Sequence, residues 1–200
     1  DYVINCSGLH SDKVSLLFGC NTDVQIIPFR GDYYLLNDKG SLLVNNLIYP
    51  VPNSTYPFLG VHFTRMIDGR IEAGPNAVLA FKKEGYKLSD FSFKDFFGAI
   101  GFIGLQKFLL SHKVMVLEEL KSSISKQAFL KRLQKLVPEI KASHLSKGIA
   151  GVRAQAMHRD GTLVQDFAIE KAKHSLHLIN APSPGATASL AIADYILEQI

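Results

Sequence analysis

The sequence predicts a mixed fold, α/β at its two ends and α+β through its middle. Three observations predict it. The chain opens with an apolar, strand-like run that passes through a Ser-Gly turn into an amphipathic helix. Its middle holds short β-rich segments broken by Pro, Gly, Asn and Asp. Its last part returns to strands and closes on a helix.

The opening run, Asp1-Tyr2-Val3-Ile4-Asn5-Cys6, has the texture of a buried strand. It starts without an initiator Met or a signal-peptide core, so the expectation is a chain cut from something longer. After Ser7-Gly8, residues 10–18 are expected to be helical, with Val14, Leu17 and Phe18 on the apolar face and Gly19 as C-cap. Such a strand–turn–helix unit belongs to doubly wound sheets. Residues 24–27, 33–36, 41–44 and 47–51 are expected as short strands. Segments 58–65 and 70–74 flank Met66-Ile67-Asp68-Gly69, whose Asp-Gly pair signals a hairpin. The sheet built from these is expected to be mostly antiparallel.

Residues 89–138 turn helical. Segment 93–110 is rich in large apolar residues and interrupted by Gly98, Gly101 and Gly104. Its uncharged run, 96–106, is too short to span a bilayer. A helix packed on the sheet is expected there, with a membrane-surface contact as the other reading. Ser125 caps a second helix, whose stripe is Phe129, Leu130, Leu133, Leu136 and Val137 and which Pro138 ends. Segments 151–155, 163–169 and 174–180 are expected as strands, with Asp160-Gly161 a turn. Ser183 as N-cap and Pro184 at the first helical position start a last helix that would bury Leu190, Ala193, Ile196, Leu197 and Ile200.

With 200 residues, 47% of them hydrophobic, the chain can bury one core or two small ones. A net charge of +4, with lysines spread along 113–147 and no basic stripe carrying aromatics, argues against nucleic-acid binding. Cys6 and Cys20 show neither metal spacing nor a disulfide framework, which suits a reducing compartment. His10, His112, His144, His158, His174 and His177 have no metal-ligand spacing either, so no metal is expected. The chain carries no P-loop, no nucleophile elbow and no G-x-G-x-x-G.

Three places have the residues for chemistry. In 180–188, small residues at a strand-to-helix junction either let an anionic ligand approach free backbone N–H groups or simply pack a helix start. Arg153, alternating with Val152 and Ala154, either clamps a carboxylate through its planar fork or pairs with an internal Asp or Glu. His62 is either a general base or a hydrogen-bonded structural residue, and period-2 geometry puts Arg65 on the opposite face from it.

Seven stretches, in order and with matching spacing, carry a resemblance: residues 3–12, 28–36, 47–52, 57–65, 74–82, 151–155 and 180–184. Together they resemble the D-amino-acid-oxidase-like flavoprotein superfamily and, within it, the L-2-hydroxyglutarate oxidase/dehydrogenase family. The resemblance covers essentially the whole chain, and only 88–148 is loosely matched. It implies part of a D-amino-acid-oxidase-like FAD fold, with residues 1–22 and 151–200 in the FAD-binding domain. Residues 23–150 would form an antiparallel-sheet substrate domain. It implies FAD as cofactor and hydride removal from the alcohol carbon of L-2-hydroxyglutarate. Electrons would pass to oxygen or to a membrane quinone, in a cytoplasmic enzyme peripheral to the inner membrane.

By the same resemblance, Arg153 becomes the substrate-carboxylate clamp, Tyr34 and Arg65 further substrate-binding residues, and His62 the base. Ser7 and Gly8 would lie near the FAD pyrophosphate and ribose. Ser183, Pro184, Gly185, Ala186 and Thr187 would run under the flavin ring. One departure stands out. The family's N-terminal dinucleotide fingerprint, and the βαβ unit that carries it, are missing, so the 200 residues alone are not expected to hold FAD. An amine or amino-acid oxidase of the same superfamily, or a non-catalytic fragment acting as a binding or folding module, are the competing readings.

Overall fold

The structure, a computed structural model, describes residues 1–51 and 60–200. Strand β1 (Val3–Asn5) leads through a 3-10 turn (Gly8–His10) into helix α1 (Ser11–Leu17). Strands β2 (Val24–Gly31) and β3 (Tyr34–Leu36), the one-turn helix α2 (Asp38–Ser41), and strands β4 (His62–Arg65), β5 (Ile71–Gly74) and β6 (Val78–Leu79) follow. Next come helices α3 (Phe93–Ile100), α4 (Ile103–Ser111), α5 (Lys113–Ile124) and α6 (Lys126–Leu133). Strands β7 (Leu145–Lys147), β8 (Gly151–His158), β9 (Ala168–Ala172) and β10 (Ser175–Asn180) and helix α7 (Ser189–Leu197) complete the order.

The chain divides into two compact units. The first holds Asp1–Ile27, Phe97–Phe108 and Ala154–Ile200; the second holds Pro28–Phe96 and Leu109–Arg153. The sequence places 97–108 in the middle segment, whereas here it packs within the first unit. The reason is local: a Cβ at Gly104 would collide with the carbonyl oxygen of His158, so only glycine lets α4 approach β8 this closely.

In the second unit an antiparallel sheet has the order β4-β5-β3-β7. Phe63 pairs with Ala73 and Ala73 with Tyr34, which puts these three on one face. That face is the core. Leu36, Phe63, Ile71, Ala73 and Leu145 from the strands meet Phe129, Leu130 and Leu133 of α6, with Val137 and Ile140 beyond it. Phe129, Leu130 and Leu133 of the expected stripe are buried on α6, which ends at Leu133 rather than at Pro138 and leaves Leu136 and Val137 beyond it; the Ser125 hydroxyl accepts from Ala128 N at 3.3 Å as N-cap. At Met66–Gly69 the expected hairpin turn closes through Met66 N–H to Arg70 O at 2.8 Å. The expected strand 58–65 begins outside the described residues, and its described part is β4.

Two expectations for this unit and one for the helical segment after it are corrected. Residues 41–44 are not a strand. Asn37 caps α2 instead, its side chain accepting from Gly40 N at 3.0 Å, and this local hydrogen bond prevails over β propensity. Segment 47–51 contributes only a single bridge, Ile48 to Phe63. The helix expected over 93–110 is two helices broken at Gly101-Phe102, with Phe93, Phe97 and Leu110 exposed and Ala99, Leu105 and Phe108 buried.

In the first unit, β1 runs parallel to β10, and β10 pairs antiparallel with β9. A third sheet has the order β6-β2-β8, in which Phe29 of β2 pairs with Leu79 of β6. Helix α1 buries the opposite face to the one expected: Ser11, Asp12 and Ser15 are buried, while Leu17 is 84% exposed. Backbone satisfaction explains it, because Asp12 Oδ2 accepts from Ile26 N at 3.1 Å and the Ser11 carbonyl accepts from Asn5. Helix α7 starts at Ser189 with Ala188 as N-cap rather than at Ser183, and of its expected face only Ile196 is buried. The strand expected over 163–169 is a bridge from Leu163 to Met157 followed by β9.

Phe129 is fully buried between Tyr34, 4.8 Å away ring to ring, and the sheet. Phe129→Ala is expected to lower the unfolding free energy by about 3–5 kcal/mol, read from urea denaturation, while a smaller exposed change such as Phe93→Ala leaves it nearly unchanged.

Candidate active site

The sheet of the second unit has a second face. Register pairs Leu35 with Glu72 and Glu72 with Thr64, and it sets His62 opposite Gly74. His62 and Glu72 therefore share the face turned away from the core. The residue before β3, Tyr33, has the same parity. Tyr34 has the other parity and packs on Phe129. Strand alternation thus puts Tyr33, not Tyr34, beside the pocket. Arg65, at the far end of β4, is exposed and on the core parity.

A cavity of about 150 Å³ lies within this unit, lined by Arg30, Tyr33, Asn76 and Arg153 together with the backbone at Gly31, Pro75 and Gly151. Close packing shapes it: a Cβ on Gly31 would sit 2.5 Å from Pro75 Cβ. One carboxylate organises the wall. Asp32 accepts from Arg30 Nη2 at 3.1 Å, Ser123 Oγ at 2.6 Å and Asn76 Nδ2 at 3.2 Å. Asn76 Oδ1 returns a contact by accepting from Asp32 N at 2.6 Å. Behind it, Glu119 accepts from Ala77 N at 2.8 Å and from Arg132 Nη2 at 2.7 Å. None of this wall was evident in the sequence, although the parity of Tyr33, counted back from buried Leu36, was available there.

His62 does not line this cavity, but the charge of Arg153, which does, acts on both Tyr33 and His62. Burial raises the Tyr33 phenol above its ordinary value, Glu72 adds to the rise, and Arg153 opposes it. Tyr33 is therefore a protonated donor at neutral pH. His62 is half-buried, stacks on Tyr49 at 4.4 Å, and holds Nδ1 3.0 Å from the Gly60 carbonyl. A carbonyl only accepts, so Nδ1 carries the proton and Nε2 presents the lone pair in the neutral ring. Burial pushes the His62 pKa down; the Gly60 hydrogen bond partly opposes this, and the Arg153 charge lowers it further.

The first unit has its own cleft of about 570 Å³, lined mostly by small and apolar groups: Cys6, Gly8, Ala154, Asn180, Gly185, Ala186 and the α7 residues Ile192 and Ile196 among them. Of the sequence-predicted cofactor residues, Gly8, Gly185 and Ala186 line it. Ser7 acts one step back, its backbone N–H donating to Asn5 Oδ1 at 3.1 Å. Ser183, Pro184 and Thr187 are not part of the lining. A Cβ built on Gly8 or Gly185 meets no atom within 4 Å, so bare backbone faces open space there. A cleft of this volume, mostly apolar and with bare backbone at two glycines, has room for part of a flavin cofactor.

An α/β fold with antiparallel sheets and such a cleft defines a flavin-type oxidoreductase, and the chain belongs to the DAO family, FAD dependent oxidoreductase, whose family model matches residues 1–199. FAD is that family's cofactor. Among curated proteins, the chain is 50% identical to L-2-hydroxyglutarate dehydrogenase of Indibacter alkaliphilus over 197 residues, 98% of this chain and 49% of that protein. It is 49% identical to the mitochondrial L-2-hydroxyglutarate dehydrogenase of Mus musculus over 203 residues, 99% of this chain and 44% of that one. It is 44% identical to that of Escherichia coli K12, covering 99% of this chain and 47% of the relative. The chain thus spans about half the length of the curated relatives it matches. Among solved structures, dithionite-reduced L-alpha-glycerophosphate oxidase of Mycoplasma pneumoniae with FAD bound superposes with a TM-score of 0.60 at 21% identity, covering 96% of this chain and 41% of that one; this likeness shows the fold.

The direction of the His62 shift sets a pH profile. With its pKa below the ordinary value of about 6.5, neutral imidazole predominates at neutral pH and is lost as pH falls. If His62 is the base, kcat/KM of the FAD-loaded enzyme is expected to be flat near neutrality and to fall through a pKa below about 6.5, and His62→Gln is expected to remove that limb and lower kcat by about 10²–10⁴-fold. Near-normal kcat in His62→Gln, with the limb intact, makes His62 a packing residue.

Proposed function

We propose that this protein oxidises L-2-hydroxyglutarate to 2-oxoglutarate. The observation that carries the reading is Arg153, lining a small cavity with Tyr33 in a chain about half identical to L-2-hydroxyglutarate dehydrogenases. When bound, FAD supplies the hydride acceptor for the alcohol carbon. Gly8, Gly185 and Ala186 are the cofactor residues of this reading, and the first unit is its FAD-binding part. The second unit is its substrate part.

Each side chain has a task. The Arg153 guanidinium offers a planar fork that matches a carboxylate bidentately. Tyr33, held protonated by burial, donates to a substrate oxygen. His62 Nε2 takes the hydroxyl proton, without which an alcohol carbon is a poor hydride donor because the forming carbonyl needs that lone pair. Burial, with a smaller contribution from the Arg153 charge, keeps His62 in the neutral form this step requires. Electrons then go to oxygen or to a quinone. Among the described residues no helix is long and apolar enough to cross a membrane, and both cysteines are free.

Arg153→Lys keeps the charge and loses the fork, and kcat/KM for L-2-hydroxyglutarate is expected to fall by a factor corresponding to about 1.5–3 kcal/mol. Steady-state assays of the FAD-loaded enzyme with L-2-hydroxyglutarate, glycine, sarcosine and proline check the substrate class. Turnover of the amines with none of the hydroxy acid makes the protein an amine oxidase of the same superfamily. An unchanged kcat/KM in Arg153→Lys assigns Arg153 to structure.

A further inference from the structure

Directly behind the turn that borders the cofactor cleft sits a buried polar chain that the mechanism above does not use. Asn5, Ser175 and His177 are 4%, 1% and 0% exposed. Strand register pairs Asn5 with His177 and His177 with Glu170. Asn5 Oδ1 accepts from the Ser7 N–H at 3.1 Å and from the Ser7 hydroxyl. Asn5 Nδ2 donates to the Ser11 carbonyl at 3.0 Å.

A backbone N–H can only donate and a carbonyl can only accept, so these two partners fix which way the Asn5 amide points. Its Nδ2 also lies 3.0 Å from His177 Nδ1. That nitrogen must therefore be the acceptor, and the ring proton sits on Nε2, 2.8 Å from Ser175 Oγ. Both ends of a neutral imidazole are used. Protonating His177 places a second N–H against the Asn5 donor; the amide must then turn and let go of Ser7. Cys6 and Gly8, on either side of Ser7, line the cleft.

We propose that His177 is a positioning residue for the cofactor: as neutral imidazole it holds the Asn5 amide, and Asn5 holds the Ser7–Gly8 turn in the shape that accepts FAD. This rests on the reading of the cleft as the FAD site. The groups around His177 agree with a neutral ring. Burial lowers its pKa, and Glu170 on the neighbouring strand β9 opposes this with a smaller effect. From the α1 side, the Asp12 carboxylate is engaged with the Ile26 and Lys13 N–H groups at 3.1 and 2.8 Å. The Cys20 thiol is pushed up by burial and stays neutral, and the Phe18 ring lies 5.1 Å away.

The sign follows. A histidine depressed in the folded protein contributes stability that is complete above about 6.5 and is lost as pH falls toward its folded pKa. The test is FAD affinity, read by flavin fluorescence after reversible removal of the cofactor from the FAD-loaded enzyme. His177→Leu is expected to raise the FAD Kd by about fivefold or more, the worth of roughly one buried hydrogen bond. His177→Asn, whose Oδ1 sits where the ring Nδ1 does and still accepts from Asn5, is expected to keep wild-type affinity and to lose the weakening that wild type shows as pH falls through the depressed His177 pKa, below about 6.5. Wild-type affinity in a folded His177→Leu overturns the proposal. So does an acid limb identical in wild type and His177→Asn, which decides the matter alone if the Leu variant does not fold. Gly185→Leu, whose side chain would enter the open cleft, separates the two readings. Unchanged affinity there removes the cofactor assignment itself; lost affinity there with none lost in His177→Leu removes only the role of His177.

Discussion

The second unit is organised around the Asp32 carboxylate. A carboxylate only 13% exposed is tolerable when donors match it, and Asp32 draws them from three separate parts of the chain. Arg30 comes from the end of β2, Ser123 from the last turn of α5, and Asn76 from the loop after β5. Satisfying one charge thus ties a helix, a strand end and a loop together, and the cavity wall is what remains between them. Removing Asp32 would leave Arg30, 3% exposed, as an unpaired buried cation.

Below this polar layer the sheet does two jobs on its two faces. One face packs Phe63, Ile71 and Ala73 against α6. The other presents His62 and Glu72, with Tyr33 on the same parity. Core packing fixes the register, and a slip of one residue would send every one of these side chains to the wrong face. The positions of the candidate catalytic groups are therefore inherited from the apolar core, and their proton affinities from partial burial beside Arg153.

Much of this was legible where local chemistry decides the structure. Helix α6 follows from Ser125 and an apolar stripe, and the Asp68-Gly69 turn from its φ requirement. Legibility ended where distant partners decide. Helix α1 buries Ser11 and Asp12 rather than Leu17 because backbone groups of distant segments need those polar partners. Residues 41–44 form no strand because a single Asn37 cap organises them first. Of the residues singled out from the sequence, Arg153 lines the cavity, Gly8, Gly185 and Ala186 line the cleft, and His62 lies on the sheet face turned away from the core. Tyr33, next to the expected Tyr34, is the tyrosine that lines the cavity. Asp32 and Ser123, 91 positions apart, could not be linked by any local pattern.

The proposed oxidation of a 2-hydroxy dicarboxylate by FAD rests on the cleft and the cavity of this chain. The most direct measurement is an anaerobic titration of the FAD-loaded enzyme with L-2-hydroxyglutarate, following the loss of oxidised-flavin absorbance and the 2-oxoglutarate formed. Complete bleaching at one equivalent of substrate, one 2-oxoglutarate for each flavin reduced and no bleaching by the D-enantiomer are expected. A flavin that stays oxidised with excess L-2-hydroxyglutarate, yet is bleached by an amine substrate, overturns the proposal.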